Sequence, residues 1–294
     1  MKNLMSIEKI LTKRIEVVPY DENWPKIFEA EKAMISAVLG DNCIAIHHIG
    51  STAVPGLAAK PKIDIVVVAM DREKAIIDLE KAGYMHKGEW NIPLKCGFTK
   101  RGVSNVNLHV FFDEDHPEVE LNLKFRNYLR DHPDVRDEYA ALKIKILEDE
   151  DAHQKSEKSP LPIYTMRKRA FIDNIIKSTG FNRLRVLKCA TEDEWDAAKN
   201  FRKKYFDRTA VPDPTSGSFD VPNHEHFILY RGVEIIGYAD IFITSEAEAE
   251  LSVFENPDQE ASEYFNNVIK EWMEVHEYKK GVLKNENVKP KNGF

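Results

Sequence analysis

The spacing of apolar residues predicts alternating helices and strands at the start of the chain. Apolar side chains recur at helical spacing over residues 23–39, with Glu31 as one polar interruption, and a Gly-Asp-Asn turn follows. Residues 43–49 and 62–68 have strand patterns, and the second is rich in β-branched residues and interrupted by Asp64. These patterns predict a helix followed by two strands.

The same reasoning predicts the remaining elements and two domains. Further helices are predicted at 72–82, 118–130, 134–150 and 164–178, and strands at 94–99 and 106–112. After a boundary at 179–182, strands are predicted at 184–188, 226–230, 233–243 and 249–254, helices at 193–206 and 261–276, and a polar loop at 211–222. We therefore expect an α/β fold with mixed sheets and α+β character. It comprises a domain over residues 14–178, a smaller domain over 183–280 and a flexible tail over 281–294.

Composition and charge restrict the classes of protein to which the chain can belong. The 43% of hydrophobic and 31% of charged residues are ordinary for a soluble domain, and no segment approaches the roughly 18 apolar residues of a membrane span. The start of the chain lacks the features of a secretory signal, so we expect a cytoplasmic protein without membrane contact. The net charge of −7 argues against a dedicated nucleic-acid binder. Because residues 181–294 hold −6 of that charge, the first half can still present a basic patch.

Cysteine and histidine spacing predicts no structural metal. Cys43, Cys96 and Cys189 lie far apart, without the spacing of a disulfide framework or zinc site. His224 and His226 can share one face of a strand. Since the sequence shows no third ligand close to them, we interpret this pair as ordinary surface.

The segment after the first predicted strand has the character of a phosphate cradle. Gly50, Ser51 and Thr52 follow the strand, where a tight turn can aim backbone N–H groups and a hydroxyl at an anion. Asp64 on the neighbouring strand can hold a Mg²⁺ ion that bridges to the phosphate. Taken singly, these residues are better explained as turn residues and a carboxylate satisfied by its surroundings. Their order and spacing together favour a site for a nucleotide or another phosphorylated ligand.

A long signature resembles one protein family. The matching residues are Val18-Pro19-Tyr20-Asp21, Trp24-Pro25, the run from His48 to Leu57, Lys60-Pro61, Asp64-Ile65, Asn107-Leu108-His109-Val110, the run from Phe125 to Pro133 and Tyr139-Ala140-Ala141-Leu142-Lys143. Over roughly residues 14–177 the chain resembles the GrpB family. The resemblance implies the polymerase-beta-like nucleotidyltransferase fold, with a family substrate that is not settled.

The chain departs from the catalytic pattern that this fold implies. Active members carry an Asp-x-Asp pair and a third acid on a later strand, whereas this chain has Lys62 or Val66 beside Asp64. His109 stands where the third acid would lie, and it can ligate a metal or act as a base. Asp113 and Glu120 could compensate. The predicted catalytic residues are therefore Asp64 and His109, with Asp64 as a Mg²⁺ ligand.

Four basic side chains are candidates for contacting a phosphate. They are Lys60, Lys124, Arg126 and Arg130. The alternative for each is a solvated helix face. For Arg126 and Arg130, which lie one helical turn apart, the two interpretations have equal weight.

Residues 181–280 resemble a reduced GNAT acetyltransferase domain, with the hairpin 228–239 as its central strands. That resemblance implies an acetyl-CoA loop at 255–262. This loop contains no glycine and carries Glu255, Asp258 and Glu260, which would repel the cofactor's phosphates. We therefore do not expect acetyl-CoA binding.

Three functions stay open, and it is uncertain that the protein is an enzyme. The first is a Mg²⁺-dependent nucleotidyl or phosphoryl transferase with an unknown acceptor. The second is a nucleotide- or CoA-binding module that has lost chemistry. The third is an acetyltransferase, which the loop at 255–262 argues against. The first two differ in whether a further carboxylate lies close enough to Asp64 to share a metal.

Overall fold

The computed structural model describes two compact units. The described residues are 14–102, 104–154, 162–209, 223–245, 248–254, 259–278 and 283–284. The predicted loop at 211–222, residues 255–258 of the predicted cofactor loop, and residues 281–282 and 285–294 of the predicted tail lie outside them. One unit comprises Met1–Gly88 and Lys95–Phe181, and the other comprises Glu89–Leu94 and Asn182–Phe294. Each unit has helices and a five-stranded sheet with parallel and antiparallel pairs, which confirms the predicted α/β class with mixed sheets.

The first unit contains five strands and six helices among its described residues. Its strands are β1 (Cys43–Ile49), β2 (Ile63–Ala69), β3 (Met85–Gly88), β4 (Cys96–Lys100) and β5 (Val106–Phe111). Its helices are α1 (Trp24–Leu39), α2 (Arg72–Lys81), α3 (Pro117–Asp131), α4 (Pro133–Ile146), α5 (Ile163–Met166) and α6 (Arg169–Ser178).

Three elements of the first unit differ from the predicted ones by more than a few residues. The helix predicted over 134–150 ends at Ile146, before a run of acidic residues that the negative end of a helix disfavours. The helix predicted over 164–178 is divided into α5 and α6, and Arg167 at the break binds Asp149 and Asp151. Strand β3 was not predicted, because its sequence lacks apolar alternation and pairing with β4 defines it.

The sheet of the first unit separates a core face from a face with polar residues. The strand order is β1-β2-β5-β4-β3, and β2 and β5 are the parallel pair. Ile63, Ile65 and Val67 point to the face that α1 and α2 cover. Because side chains alternate along a strand, Asp64 points to the opposite face. Register places Asp64 beside Ile49 of β1 and Asn107 of β5.

One buried polar cluster accounts for the interruption in the apolar stripe of α1. Glu31 is buried and accepts hydrogen bonds from the Tyr84 hydroxyl and from Lys100 Nζ, the latter at 3.0 Å. A buried carboxylate needs such partners. Glu31 therefore belongs to the core of this unit.

The second unit is a sheet with a helix on each face. Its elements are β6 (Leu184–Lys188), α7 (Glu192–Thr209), β7 (His224–Arg231), β8 (Glu234–Ser245), β9 (Glu248–Phe254), α8 (Gln259–Val275) and β10 (Leu283–Lys284), in the strand order β10-β9-β8-β7-β6. Phe265, Ile269 and Trp272 of α8 pack on one face, and Ala198 of α7 packs on the other. The resemblance of this unit to GNAT domains stays a prediction. No helix in the described parts of the chain is long and apolar enough to cross a membrane.

The interpretation of His224 and His226 as ordinary surface is wrong. His226 is 2% exposed, and the side chain of His224 is 13% exposed. The rings of Trp195 and Tyr238 pack against His226, with centroids 4.9 and 5.9 Å away. Long-range packing of α7 and β8 on this strand buries the pair.

Candidate functional site

The turn after β1 lies directly against Asp64. Gly50 has φ 71° and ψ −172°, a backbone conformation that essentially only glycine adopts, and Ser51–Ala53 form a short 3-10 turn. A Cβ atom on residue 50 would lie 3.1 Å from Asp64 Oδ2. The glycine therefore permits both the turn and the close approach of the carboxylate.

Asp64 is held by an amide and an ammonium group. Asn107 Nδ2 donates a hydrogen bond to Asp64 Oδ1 at 2.9 Å, and Lys62 Nζ lies 3.7 Å from the same oxygen. The Asp64 side chain remains 26% exposed. Burial acts to raise the pKa of this carboxyl group, but the Lys62 charge and the Asn107 hydrogen bond bring it below its ordinary value. Asp64 is thus ionised at neutral pH.

His109 lies on the same face of the sheet as Asp64. It is two residues along β5 from Asn107 and is paired with Val66. Burial, with the nearby Lys95 charge, lowers the pKa of His109 to about 4. Its imidazole is therefore neutral at neutral pH.

Lys143 contacts the turn that follows β1. Its Nζ lies 3.3 Å from Ser51 Oγ and also donates to the carbonyl oxygen of Ala58. The residue is 1% exposed, and Nζ sits 4.6 Å from the centroid of the Tyr139 ring. A cation–π contact and two oxygen acceptors therefore hold this ammonium group beside Ser51.

Two further lysines contact the same aromatic ring. Lys60 Nζ and Lys168 Nζ lie 5.1 and 4.5 Å from the centroid of the Tyr164 ring. In the part of the chain that the structure describes, neither ammonium group has a hydrogen bond or an ion pair. We call Lys60, Lys62, Lys143 and Lys168 the lysine cluster.

Within the described ranges of the chain, the lysine cluster has little negative charge around it. Burial and neighbouring ammonium groups lower the pKa of Lys143 to about 7 and that of Lys168 to about 7. Burial, with the Lys62 charge, also lowers the pKa of Lys60. Among the residues that the structure describes, Asp64 is the one carboxylate whose charge acts on Lys168. A bound anion would relieve this repulsion.

The other predicted phosphate contacts bind the protein itself. Arg126 Nη1 donates to the carbonyl oxygen of His48 at 2.8 Å, and Arg130 donates to that of Ala53 from Nε at 2.9 Å and from Nη2 at 2.6 Å. Lys124 forms an ion pair with Glu120 at 3.3 Å on α3. In the structure, Arg126 and Arg130 thus brace the backbone around the turn.

Thr52 also has an internal role. It is 2% exposed, its Oγ1 lies 3.1 Å from His48 Nε2, and it donates to the carbonyl oxygen of Lys62 at 3.2 Å. Its hydroxyl thereby joins the turn to the start of β2.

The sequence pattern pointed to part of the site and missed three lysines of the cluster: Lys62, two residues before Asp64, and two that lie far along the chain. Gly50, Ser51, Lys60 and Asp64 are brought together around the turn. Lys143 and Lys168 were not assigned to it, although Lys143 ends a family motif and Lys168 lies in a basic triplet. Both belong to helical segments about a hundred residues from the turn, so local spacing carries no sign of their convergence.

The residues around Asp64 do not suit Mg²⁺. This ion demands six oxygen ligands in near-octahedral geometry, whereas Asp64 meets an amide donor and an ammonium group. Within the described ranges, the three potential metal ligands that converge are His224, His226 and Asp240 of the second unit. Of the two acids named as possible compensation, Glu120 pairs with Lys124 and Asp113 accepts from the Asp115 backbone.

Comparison with known proteins identifies the first unit. The profile described as GrpB protein matches residues 14–178. The chain is 38% identical over 148 residues to UPF0157 protein YqkA of Bacillus subtilis, covering 49% of this chain and 43% of that protein. It is 33% identical over 168 residues to the glutamate-rich protein GrpB of Alkalihalophilus pseudofirmus, covering 54% of this chain and 92% of that protein.

A solved relative is also similar. The crystal structure of conserved protein GrpB from Enterococcus faecalis is 34% identical, with a TM-score of 0.48, covering 56% of this chain and 96% of that one. The match thus spans nearly the whole of two relatives but less than half of the Bacillus subtilis protein. With more than half of its length matched by the family profile, the chain belongs to the GrpB family.

Proposed function

We propose that the first unit binds a phosphorylated small molecule, in the simplest case a nucleotide, at the Gly50 turn and the lysine cluster, without a metal ion. The single observation that supports this most strongly is the convergence of Lys60, Lys143 and Lys168, where Asp64 is the one carboxylate among the described residues whose charge acts on Lys60 and Lys168. A phosphoryl group carries up to two negative charges and three acceptor oxygens. It would therefore supply the negative charge and the hydrogen-bond acceptors that these ammonium groups need.

The arrangement of the lysines supports a preformed site. The rings of Tyr139 and Tyr164 hold three ammonium groups by cation–π contacts, so little side-chain entropy is lost when a ligand binds. Gly50 leaves open the space that a Cβ atom would fill beside Asp64. The hydroxyl of Ser51, bound to Lys143, lies at the same turn.

The environment of Asp64 favours binding over metal-dependent transfer. Asn107 donates a hydrogen bond to this carboxylate and Lys62 balances its charge, so a divalent cation there would be repelled by the surrounding ammonium groups. In this proposal Asp64 spaces and orients the lysines. A Mg²⁺-dependent transferase with Asp64 as metal ligand is the competing function.

Calorimetric titration of the whole chain separates the two functions. ATP, GTP, CTP, UTP, CoA and inorganic pyrophosphate are each titrated with and without Mg²⁺. We expect at least one of them to bind without the metal. Lys168→Met should weaken that binding by about 10- to 100-fold, the cost of one charged hydrogen bond of about 1.5–3 kcal/mol.

A matched lysine on the same unit provides the control. Lys124 is paired with Glu120 outside the cluster, so Lys124→Met should leave the affinity unchanged. Equal losses in Lys124→Met and Lys168→Met would contradict the assignment of the site. Binding that requires Mg²⁺ and disappears in Asp64→Asn would establish the competing transferase site instead. If none of the ligands binds, both functions are ruled out.

A further inference from the structure

The second unit contains a convergence of metal-ligating side chains that is independent of the lysine cluster. His224 and His226 lie at alternate positions of β7, and register places Asp240 of β8 directly beside His226. One potential ligand atom from each of the three residues lies within 4.8 Å of the other two. Two imidazoles and a carboxylate therefore face one point on the sheet.

The carboxylate of Asp240 is incompletely satisfied. His224 Nδ1 lies 2.6 Å from Asp240 Oδ1, and His226 Nδ1 lies 3.9 Å from the same atom. Asp240 is 2% exposed, and its Oδ2 has no hydrogen-bond partner in the described structure. A buried carboxylate oxygen without a partner costs free energy, so its presence calls for a missing positive group.

The surroundings resemble the outer partners of a metal centre. The Tyr238 hydroxyl is hydrogen-bonded to His226 Nδ1 and also accepts from Arg202 Nη1 at 3.4 Å. A hydrogen bond of this kind at Nδ1 fixes the ring orientation of a histidine whose other nitrogen, Nε2, binds a metal. The His224 and His226 rings lie nearly parallel, with centroids 6.0 Å apart and planes at 15°.

We propose that His224, His226 and Asp240 bind one divalent transition-metal ion of the Zn²⁺ type. Imidazole nitrogen with one carboxylate oxygen is a donor set for Zn²⁺, Co²⁺ and Fe²⁺, and Mg²⁺ and Ca²⁺ prefer oxygen alone. Bonds of about 2.0–2.1 Å set tetrahedral ligand atoms about 3.3 Å apart. In the structure one potential ligand atom of each residue lies within 4.8 Å of the other two, so rotamer shifts bring the three atoms to the ion. Three protein ligands leave one position for water.

Titration of the full chain, prepared without a histidine tag and freed of metal by a chelator, tests this site. Co²⁺ should bind at one equivalent and give visible absorption bands of a nitrogen–oxygen site, and Zn²⁺ should displace it. His224→Phe and Asp240→Asn should each weaken binding by more than about 100-fold, since loss of an outer hydrogen-bond partner alone costs about 10- to 100-fold.

A histidine in the same unit serves as the control. His276 is 34% exposed at the end of α8, so His276→Gln should keep the affinity of the unaltered chain. Zinc X-ray absorption of the unaltered protein counts imidazole ligands without any substitution, and it decides the matter if Asp240→Asn does not fold. Absence of one-to-one binding, fewer than two imidazoles, or unchanged affinity in a folded His224→Phe would overturn the proposal.

Discussion

Asn107 Nδ2 lies 2.9 Å from Asp64 Oδ1 and donates a hydrogen bond to it between the parallel strands β2 and β5. The residue that faces Asp64 across the sheet is thus an amide donor, where a shared metal would need a second oxygen ligand. The hydrogen bond contributes to the lowered pKa of Asp64 and keeps it ionised without a metal. The chemistry of this face of the sheet is consequently governed by its lysines.

Ligand affinity should depend on pH through the lysine cluster. The pKa values of Lys143 and Lys168 are about 7 in the free protein, and a bound phosphate favours the ammonium form. Affinity should therefore fall as the pH rises above about 7, with proton uptake on binding. Calorimetry at about pH 6 and about pH 8, in buffers of different ionisation enthalpy, measures both effects. An affinity independent of pH over this range would show that these lysines do not contact the ligand.

Lys168→Met should stabilise the free protein while weakening ligand binding. The folded protein holds this lysine at a pKa of about 7, below its ordinary 10.5, so the charged form is disfavoured by folding. The cost is complete below pH 7 and decreases as the pH rises toward 10.5. We expect a gain of about 1 kcal/mol near pH 6, seen as a Tm about 2–4 °C higher.

Thermal unfolding of Lys168→Met and Lys124→Met across this pH range checks the expectation. Lys124 is partly exposed and ion-paired, so its replacement should leave the pH profile unchanged. The gain for Lys168→Met should diminish with rising pH. A loss of stability at low pH would contradict the buried, unneutralised state of Lys168.

Gly50→Ala should destabilise the protein by about 2–3 kcal/mol, because the residue has a backbone conformation restricted to glycine and its new Cβ would crowd Asp64. Gly83→Ala is the matched variant. Gly83 also has a positive φ, of 86°, but no atom lies within 4 Å of a Cβ placed there. We expect it to cost about 1 kcal/mol. Urea denaturation gives both values, and equal costs would mean that the contact with Asp64 carries no penalty.

Glu31→Ala should cost about 3–5 kcal/mol, since it leaves the Tyr84 hydroxyl and the Lys100 ammonium without their buried acceptor. Glu29→Ala, at an exposed position of the same helix, should change stability by less than about 0.5 kcal/mol. Denaturant unfolding of the two variants measures the difference. Similar values would show that the Glu31 cluster does not contribute to the core.

The local sequence pattern was sufficient to predict those elements whose own residues show a clear helix, strand or turn pattern. The β-branched run around Asp64 is β2, the apolar stripe before Gly40 is α1, and Gly50 ends β1, as the sequence predicts. These features depend on the periodicity of apolar side chains and on a backbone conformation that glycine favours. Both can be recognised from residues that are close together in the sequence. The same reasoning failed for β3, whose polar sequence becomes a strand through pairing with β4.

What the sequence by itself determined is the α/β class, most elements of both units, and the turn and carboxylate around which the candidate site lies. The tertiary structure decided which side chains meet at that site: Asn107 and Asp64, Lys143 and Ser51, and Lys60 and Lys168 on the Tyr164 ring. In the second unit it decided that Asp240 pairs with His226. The periodicity of hydrophobic residues indicates which face of a helix or strand is apolar. Strand register and helix packing join residues far apart in the chain, and no local pattern encodes that pairing.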